Sequence, residues 1–220
     1  MQRIQAVLAL SILLAFAAAP ARAQERMAQH AILYDEDPDK PRGQRYPGTV
    51  IWCLNQIKAT DGSDDVEILG KIDIAERRLK VIMSLRRNAD ASLPASHVIE
   101  LKFDLNGGGI SLVPGLMMKI AEQSKGIALM SQSVRVTDSL FMLGLSSTAQ
   151  SRARNVAMLT QREWFDLPFV YKTQRRGILA IEKGLYGRQV FQAAFEAWGE
   201  APSSDGAFAP PRCSDKVASN

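Results

Sequence analysis

Three consecutive stretches alternate apolar and polar residues with period two, and this constrains the fold more than anything else in the chain. Val66, Ile68, Gly70, Ile72 and Ile74 share one face, opposite Glu67, Lys71 and Asp73. Leu79, Val81, Met83 and Leu85 repeat the alternation opposite Lys80, Ser84 and Arg86. Ile99, Leu101, Phe103 and Leu105 repeat it again opposite Glu100, Lys102 and Asp104. Successive side chains of a strand point to opposite faces, so such a pattern buries one face of a sheet and wets the other. Three such strands with short polar connections predict an antiparallel meander.

The remaining segments extend that reading. Residues 31–34 are a short apolar run stopped by Asp35, Glu36, Asp37, Pro38 and Asp39. The polar stretch up to Pro47 and Gly48, rich in proline and glycine, reads as a loop, and residues 49–57, with Trp52 and Cys53, read as a strand. Asp61-Gly62 marks a turn, and Asn106 to Gly109 a turn or bulge. Residues 114–123 fit strand or helix. Residues 133–137, 139–145, 164–172 and 178–181 read as strands, and 148–161 as a helix. In residues 188–198, Phe191, Ala194, Phe195 and Trp198 fall at i, i+3, i+4 and i+7, one stripe of a helix. Beyond Gly199 the chain is rich in Pro, Ser, Gly and Ala without periodicity, so 200–220 reads as a disordered tail. The expected fold is mainly β with two helices (α+β), an antiparallel β-sandwich-like single domain over residues 24–199.

The N-terminus predicts export. Arg3 precedes an apolar and small-residue run of 14 residues, 6–19, followed by Pro20 and Ala21-Arg22-Ala23, the small-x-small form of a signal-peptidase site. As a helix that run rises about 21 Å, short of the ~30 Å hydrocarbon core. Residues 1–23 are therefore expected to be a cleavable signal peptide and the protein periplasmic. Cleavage removes Arg3 and Arg22, so the 27 basic residues become 25 against 23 acidic ones. A balance of +2 makes no case for nucleic acid.

The chain holds two histidines and two cysteines, which excludes a disulfide-dense scaffold and a zinc site built from these residues alone. Cys53 and Cys213 are an even pair that an oxidising compartment permits to bridge; the alternatives are a buried free Cys53 with a free or intermolecular Cys213. His97 is the one histidine of the body and continues the apolar face of Ile99 and Leu101, the setting of a packed side chain. A catalytic role needs a nucleophile and an orienting carboxylate beside it. Ser92 and Ser96 are near in sequence, but neighbours on a regular strand point apart. Asp35, Glu36, Asp37 and Asp39 offer oxygen ligands without the order of a calcium loop, so a solvated acidic loop is expected. The Gly107–Gly109 run lacks the spacing, and the following helix, of a phosphate cradle. In the arginine pairs at 77–78, 86–87 and 175–176 one arginine of each is expected to be an ordinary solvated charge, with a basic stripe for anionic lipid or polysaccharide as the alternative. Trp164, Phe165, Phe169, Phe191, Phe195 and Trp198 read as core, with an aromatic ligand groove as the alternative.

Several segments together carry a resemblance: Leu33-Tyr34-Asp35-Glu36-Asp37-Pro38, SLRRNAD with LPASHVIE between Ser84 and Glu100, GGGISLVPG at 107–115, WFDLPFVY at 164–171, and ILAIEKG at 178–184 with FQAAFEAW. Across Leu33 to Trp198 the chain resembles a family of exported or membrane-anchored bacterial proteins with no assigned activity. Its layout is also similar to the invasion-associated locus B family of periplasmic proteins. The shared points are a signal peptide, an early Trp beside a Cys, a β-rich middle and a late strand followed by an Ala/Phe helix. Neither resemblance assigns a functional residue.

The expected function is a non-catalytic, exported cell-envelope protein that binds an envelope protein or ligand, with no catalytic, metal or cofactor residues. One competing expectation is a periplasmic hydrolase using His97 with a nearby serine and carboxylate, which requires His97 in an open cleft. The other is a basic surface making peripheral contact with membrane or polysaccharide.

Overall fold

The computed structural model describes residues 27–59, 62–106, 108–202 and 209–213; the expected signal peptide, Asp61 and Gly107 lie outside them. The chain opens with a hairpin of β1 (Gln29–Asp37) and β2 (Lys40–Lys58), closed by Asp37 Oδ1 accepting the Asp39 N–H at 3.0 Å. The proline-rich stretch expected as a loop is thus the first half of β2. Residues 40–48 pair with β1 alone, and pairing with β3 (Asp64–Ile74) begins at Thr49. A strand with one free edge tolerates proline, because an N–H directed to that edge makes no ladder bond.

A 3-10 turn (Ala75–Arg77) joins β3 to β4 (Leu79–Arg87), and β5 (Ala95–Leu105) completes the meander. All pairings from β2 to β5 are antiparallel, and the three alternating stretches bury the expected apolar faces. Short strands follow: β6 (Ile110–Leu112), β7 (Met117–Lys119), β8 (Ile127–Ala128) and β9 (Ser131–Arg135). Then come β10 (Leu140–Ser146), α1 (Ala149–Gln161), β11 (Trp164–Tyr171), β12 (Arg176–Glu182) and α2 (Gly184–Ala197).

The strands form one sheet in the order β8-β7-β11-β12-β1-β2-β3-β4-β5-β10-β9, with β6 also paired to β11. The sheet curls. Phe103 of β5 meets Phe169 of β11 edge-to-face at 5.5 Å, although β12, β1, β2, β3 and β4 stand between them in the sheet. Opposed halves of a single sheet thereby produce the sandwich-like layering of a mainly β α+β domain.

Helix α2 fills the inner face. Phe191 packs 5.3 Å from Trp52 and 5.6 Å from Phe165, while Ala194, Phe195 and Trp198 are buried along the same stripe. Helix α1 is tied to the β8–β9 corner by Asn155, whose amide bonds both the N–H and the carbonyl of Met130 at 2.9 Å. Its last carbonyls lack intrahelical partners, as at any helix C-terminus. Buried Lys183 supplies donors there, with Nζ 2.9 Å from the Leu159 carbonyl and 3.4 Å from that of Thr160.

The C-terminal segment differs from the expected disordered tail wherever it is described. The β1–β2 ladder ends at the Gln29–Val50 pair, where β1 begins, so β1 does not cover the β2 edge beyond it. Residues 211–213 occupy that edge: the Leu54 N–H donates to the Pro211 carbonyl at 2.8 Å and the Cys213 N–H to the Leu54 carbonyl at 3.1 Å. Cys53 and Cys213 are joined by a disulfide with their Cα atoms 5.1 Å apart. Polar composition alone does not reveal docking driven by an open strand edge and a covalent link.

Candidate functional site

His97, Ser96 and Glu200 come together. His97 Nδ1 lies 3.1 Å from Ser96 Oγ, and Nε2 lies 3.4 Å from Glu200 Oε2. The contact between sequence neighbours arises because Leu145 pairs with His97 and Ser146 with Ala95, leaving Ser96 as the extra residue of a bulge. A bulge re-aims its side chain, which the regular-strand expectation did not include. The His97 imidazole is fully buried, 5.7 Å from the Phe195 ring and 5.3 Å from the Trp198 ring. Burial holds its pKa below the usual value, with Glu200 opposing the shift. The Ser96 hydroxyl faces the Leu145 and Ser146 carbonyls at 3.4 and 3.2 Å. Ser92 sits in an exposed turn, bonded to Asp90 at 2.6 Å. A general base must reach its substrate, and His97 presents no surface to one.

The acidic segment is not solvated throughout. Asp35 is buried, and its Oδ2 receives Arg77 Nη2 at 2.8 Å and Arg175 Nη2 at 2.9 Å. Asp37 accepts from the Gln44 amide, and Glu36 Oε2 from the Arg176 N–H at 2.9 Å. Two guanidiniums neutralise the carboxylate that a calcium ion would need, and no metal-holding cluster occurs among the described residues. Tyr171 lies beside this group, pushed up to about 12 by burial, with the Asp35 charge adding to the effect.

The arginine pairs are largely engaged. Arg77 and Arg175 hold Asp35, Arg86 holds Glu100 at 2.7 Å, and Arg87 holds Asp65 at 3.0 Å. Gly109 is buried where its carbonyl accepts the Lys172 N–H at 2.9 Å, and a strand follows it, not a helix. The aromatic side chains singled out in the sequence are all buried in the core.

The unengaged chemistry lies on the outer face of β2–β5. Register sets residues side by side across β2, β3, β4 and β5, and in two of three rows across β10 as well. Thr49, Asp73, Lys80 and Asp104 form one row; Ile51, Lys71, Ile82, Lys102 and Leu140 form the next; Cys53, Leu69, Ser84, Glu100 and Met142 form a third. A groove of about 660 Å³ runs over the first two rows, walled by Asp138 and Ser139 of the β9–β10 loop. Lys172 and Arg135 bind Asp138 and hold that wall in place. In the first row Lys80 stands between two aspartates. In the second, Lys71 and Lys102 flank Ile82, and neither has an ion-pair partner among the described residues. Desolvation lowers the Lys71 pKa. Alternation already put Lys71 and Lys102 on the wet face. Their convergence on Ile82 depends on register, which no local pattern specifies.

Comparison of the chain with protein-family models, curated proteins and solved structures found no match.

Proposed function

We propose that this is an exported, non-catalytic cell-envelope protein that binds a ligand in the groove on the outer face of β2–β5. The observation that carries the reading is the contrast between two sites. The histidine expected to serve a hydrolase, His97, is sealed under Phe195 and Trp198, whereas the groove is open and carries Lys71 and Lys102 with no ion-pair partner among the described residues. Pockets that combine apolar lining with a few placed polar groups are the usual form of a ligand site. Export rests on Arg3, the apolar run and Ala21-Arg22-Ala23, and the Cys53–Cys213 bond suits an oxidising compartment.

The test places a photo-crosslinking residue at Ile82, in the groove, or at Leu185, exposed on α2, and irradiates the native envelope. The expected result is a defined adduct from position 82 and none from 185. Equal or absent labelling at both positions would remove the groove as the binding site. N-terminal sequencing of the exported protein should begin at Gln24, and a retained Met1 would reverse the export reading.

A further inference from the structure

We infer that the groove takes an anionic amphiphile, its acidic head held between Lys71 and Lys102 and its aliphatic chain lying over Leu69, Ile82 and Leu140; this deepens the binding reading above and rests on it. The head position follows from register. Lys71 and Lys102 are two strands apart, about 10 Å between Cα atoms at the usual strand spacing. Ile82 lies between them with no carboxylate in the row. Long lysine side chains bury their stems along apolar surface and extend their ammonium groups, so both reach a single head above Ile82. Lys71 is already partly desolvated and has no counter-ion among the described residues, so an incoming anion meets a cation that has lost part of its hydration.

The chain direction follows from charge. On one side of the lysine row stand Asp73 and Asp104, which repel an acid and stay hydrated. On the other stand Leu69 and Ser84, both buried, and beyond Lys102 lies Leu140. A recess of about 480 Å³ opens there and shares Ile82, Lys102 and Ser139 with the groove. Two carboxylates line that recess: Glu100 is held by Arg86 and Glu67 accepts from the Asn55 amide at 2.8 Å, so neither meets the ligand without a partner of its own. Among the described residues the groove offers no aromatic platform for a sugar or a base. Phe103 turns its ring inward against Phe141 and Phe169, and the outward side chains are aliphatic, charged or, at Thr49 and Ser139, hydroxyl-bearing. An aliphatic body with one acidic head matches those two properties together.

The test titrates the purified chain, and its Lys71→Gln and Lys102→Gln variants, with laurate below its micellar concentration, with dodecanol and with acetate. Laurate should bind once per chain. Each substitution should weaken it roughly tenfold or more, the loss of one charge-assisted contact, while the melting temperature of the free protein is retained. Dodecanol and acetate should each bind at least about tenfold more weakly than laurate, since each lacks one of the two features. Failure of laurate to bind overturns the proposal, as does equal binding by the variants or dodecanol binding as tightly as laurate. An adduct at Ile82 from the native envelope alongside such a failure would retire the amphiphile and leave the binding reading intact. No adduct at Ile82 would remove both.

Discussion

Trp52 and Gly70 sit opposite each other across β2 and β3, and the indole occupies the space a side chain at position 70 would need. A Cβ on Gly70 would lie 2.5 Å from Cζ3 of Trp52, and a Cβ on Gly187 of α2 would lie 2.8 Å from its Cδ1. The indole is thus held in a slot between two glycines, with Nε1 donating to the Glu182 carbonyl at 2.8 Å.

Gly70→Ala and Gly187→Ala should therefore overpack the core, each costing about 1–3 kcal/mol. Gly108→Ala, whose Cβ would meet only Leu105 at 3.9 Å, is the matched control and should change little. Thermal melts followed by tryptophan fluorescence report both effects, and unchanged melting of Gly70→Ala would contradict the slot.

Phe195 packs on His97 and Trp198 at the end of the α2 stripe. Phe195→Ala should cost about 3–5 kcal/mol, a large share of a total of about 5–15. Equilibrium urea unfolding measures it. Retained stability would mean that the helix stripe is not core.

The Cys53–Cys213 link spans 160 residues. Breaking it by Cys53→Ala with Cys213→Ala should lower stability by about 2–5 kcal/mol. A stop after Glu200, which also removes the Pro211 and Cys213 bonds to Leu54, should melt lower than the full chain without reductant and close to it with reductant. Equal melting under oxidising conditions would show that the C-terminal segment is not anchored.

Buried Lys183 and half-buried Tyr171 shape the alkaline stability profile. Burial pushes Lys183 down to about 8 from its ordinary 10.5. Between those values the unfolded chain binds more protons, so stability rises with pH. Tyr171 is shifted from 10.0 up to about 12, so there the folded chain holds the extra proton and stability falls as pH rises. Stability should climb from pH 8 toward 10 and decline above it. Lys183→Met should flatten the climb and leave the decline, measured as urea midpoints against pH.

On the acid side, burial depresses His97 below its ordinary 6.5, so the unfolded chain takes the proton first and stability falls as pH drops below that value. Comparing His97→Gln with the parent chain isolates this loss from the carboxylates, and the variant should lose less stability across that window. The same variant separates the two functional classes. A hydrolytic activity of the parent that vanishes in folded His97→Gln would favour the enzyme.

What the sequence determined by itself is local. Period-two alternation in β3, β4 and β5 dictated which residues are buried, because pleat geometry assigns faces residue by residue. The stripe Phe191, Ala194, Phe195, Trp198 marked the buried side of α2 in the same way, since helical spacing assigns its faces locally. Lys71 and Lys102 were assigned to the wet face by the same rule. Tertiary structure decided the relationships that depend on register, bulges and curl. Asp35 meets Arg175 at a separation of 140 positions because β1 lies beside β12. Ser96 meets His97 through a bulge whose extra residue is defined only against β10. Residues 40–48 became strand because β1 offered a partner that their composition does not announce, and residues 211–213 docked because β1 stops short of the β2 edge beyond Val50. The two lysines face one isoleucine for the same physical reason. Alternation specifies the face on which a side chain stands, and only the pairing of whole strands specifies its neighbours.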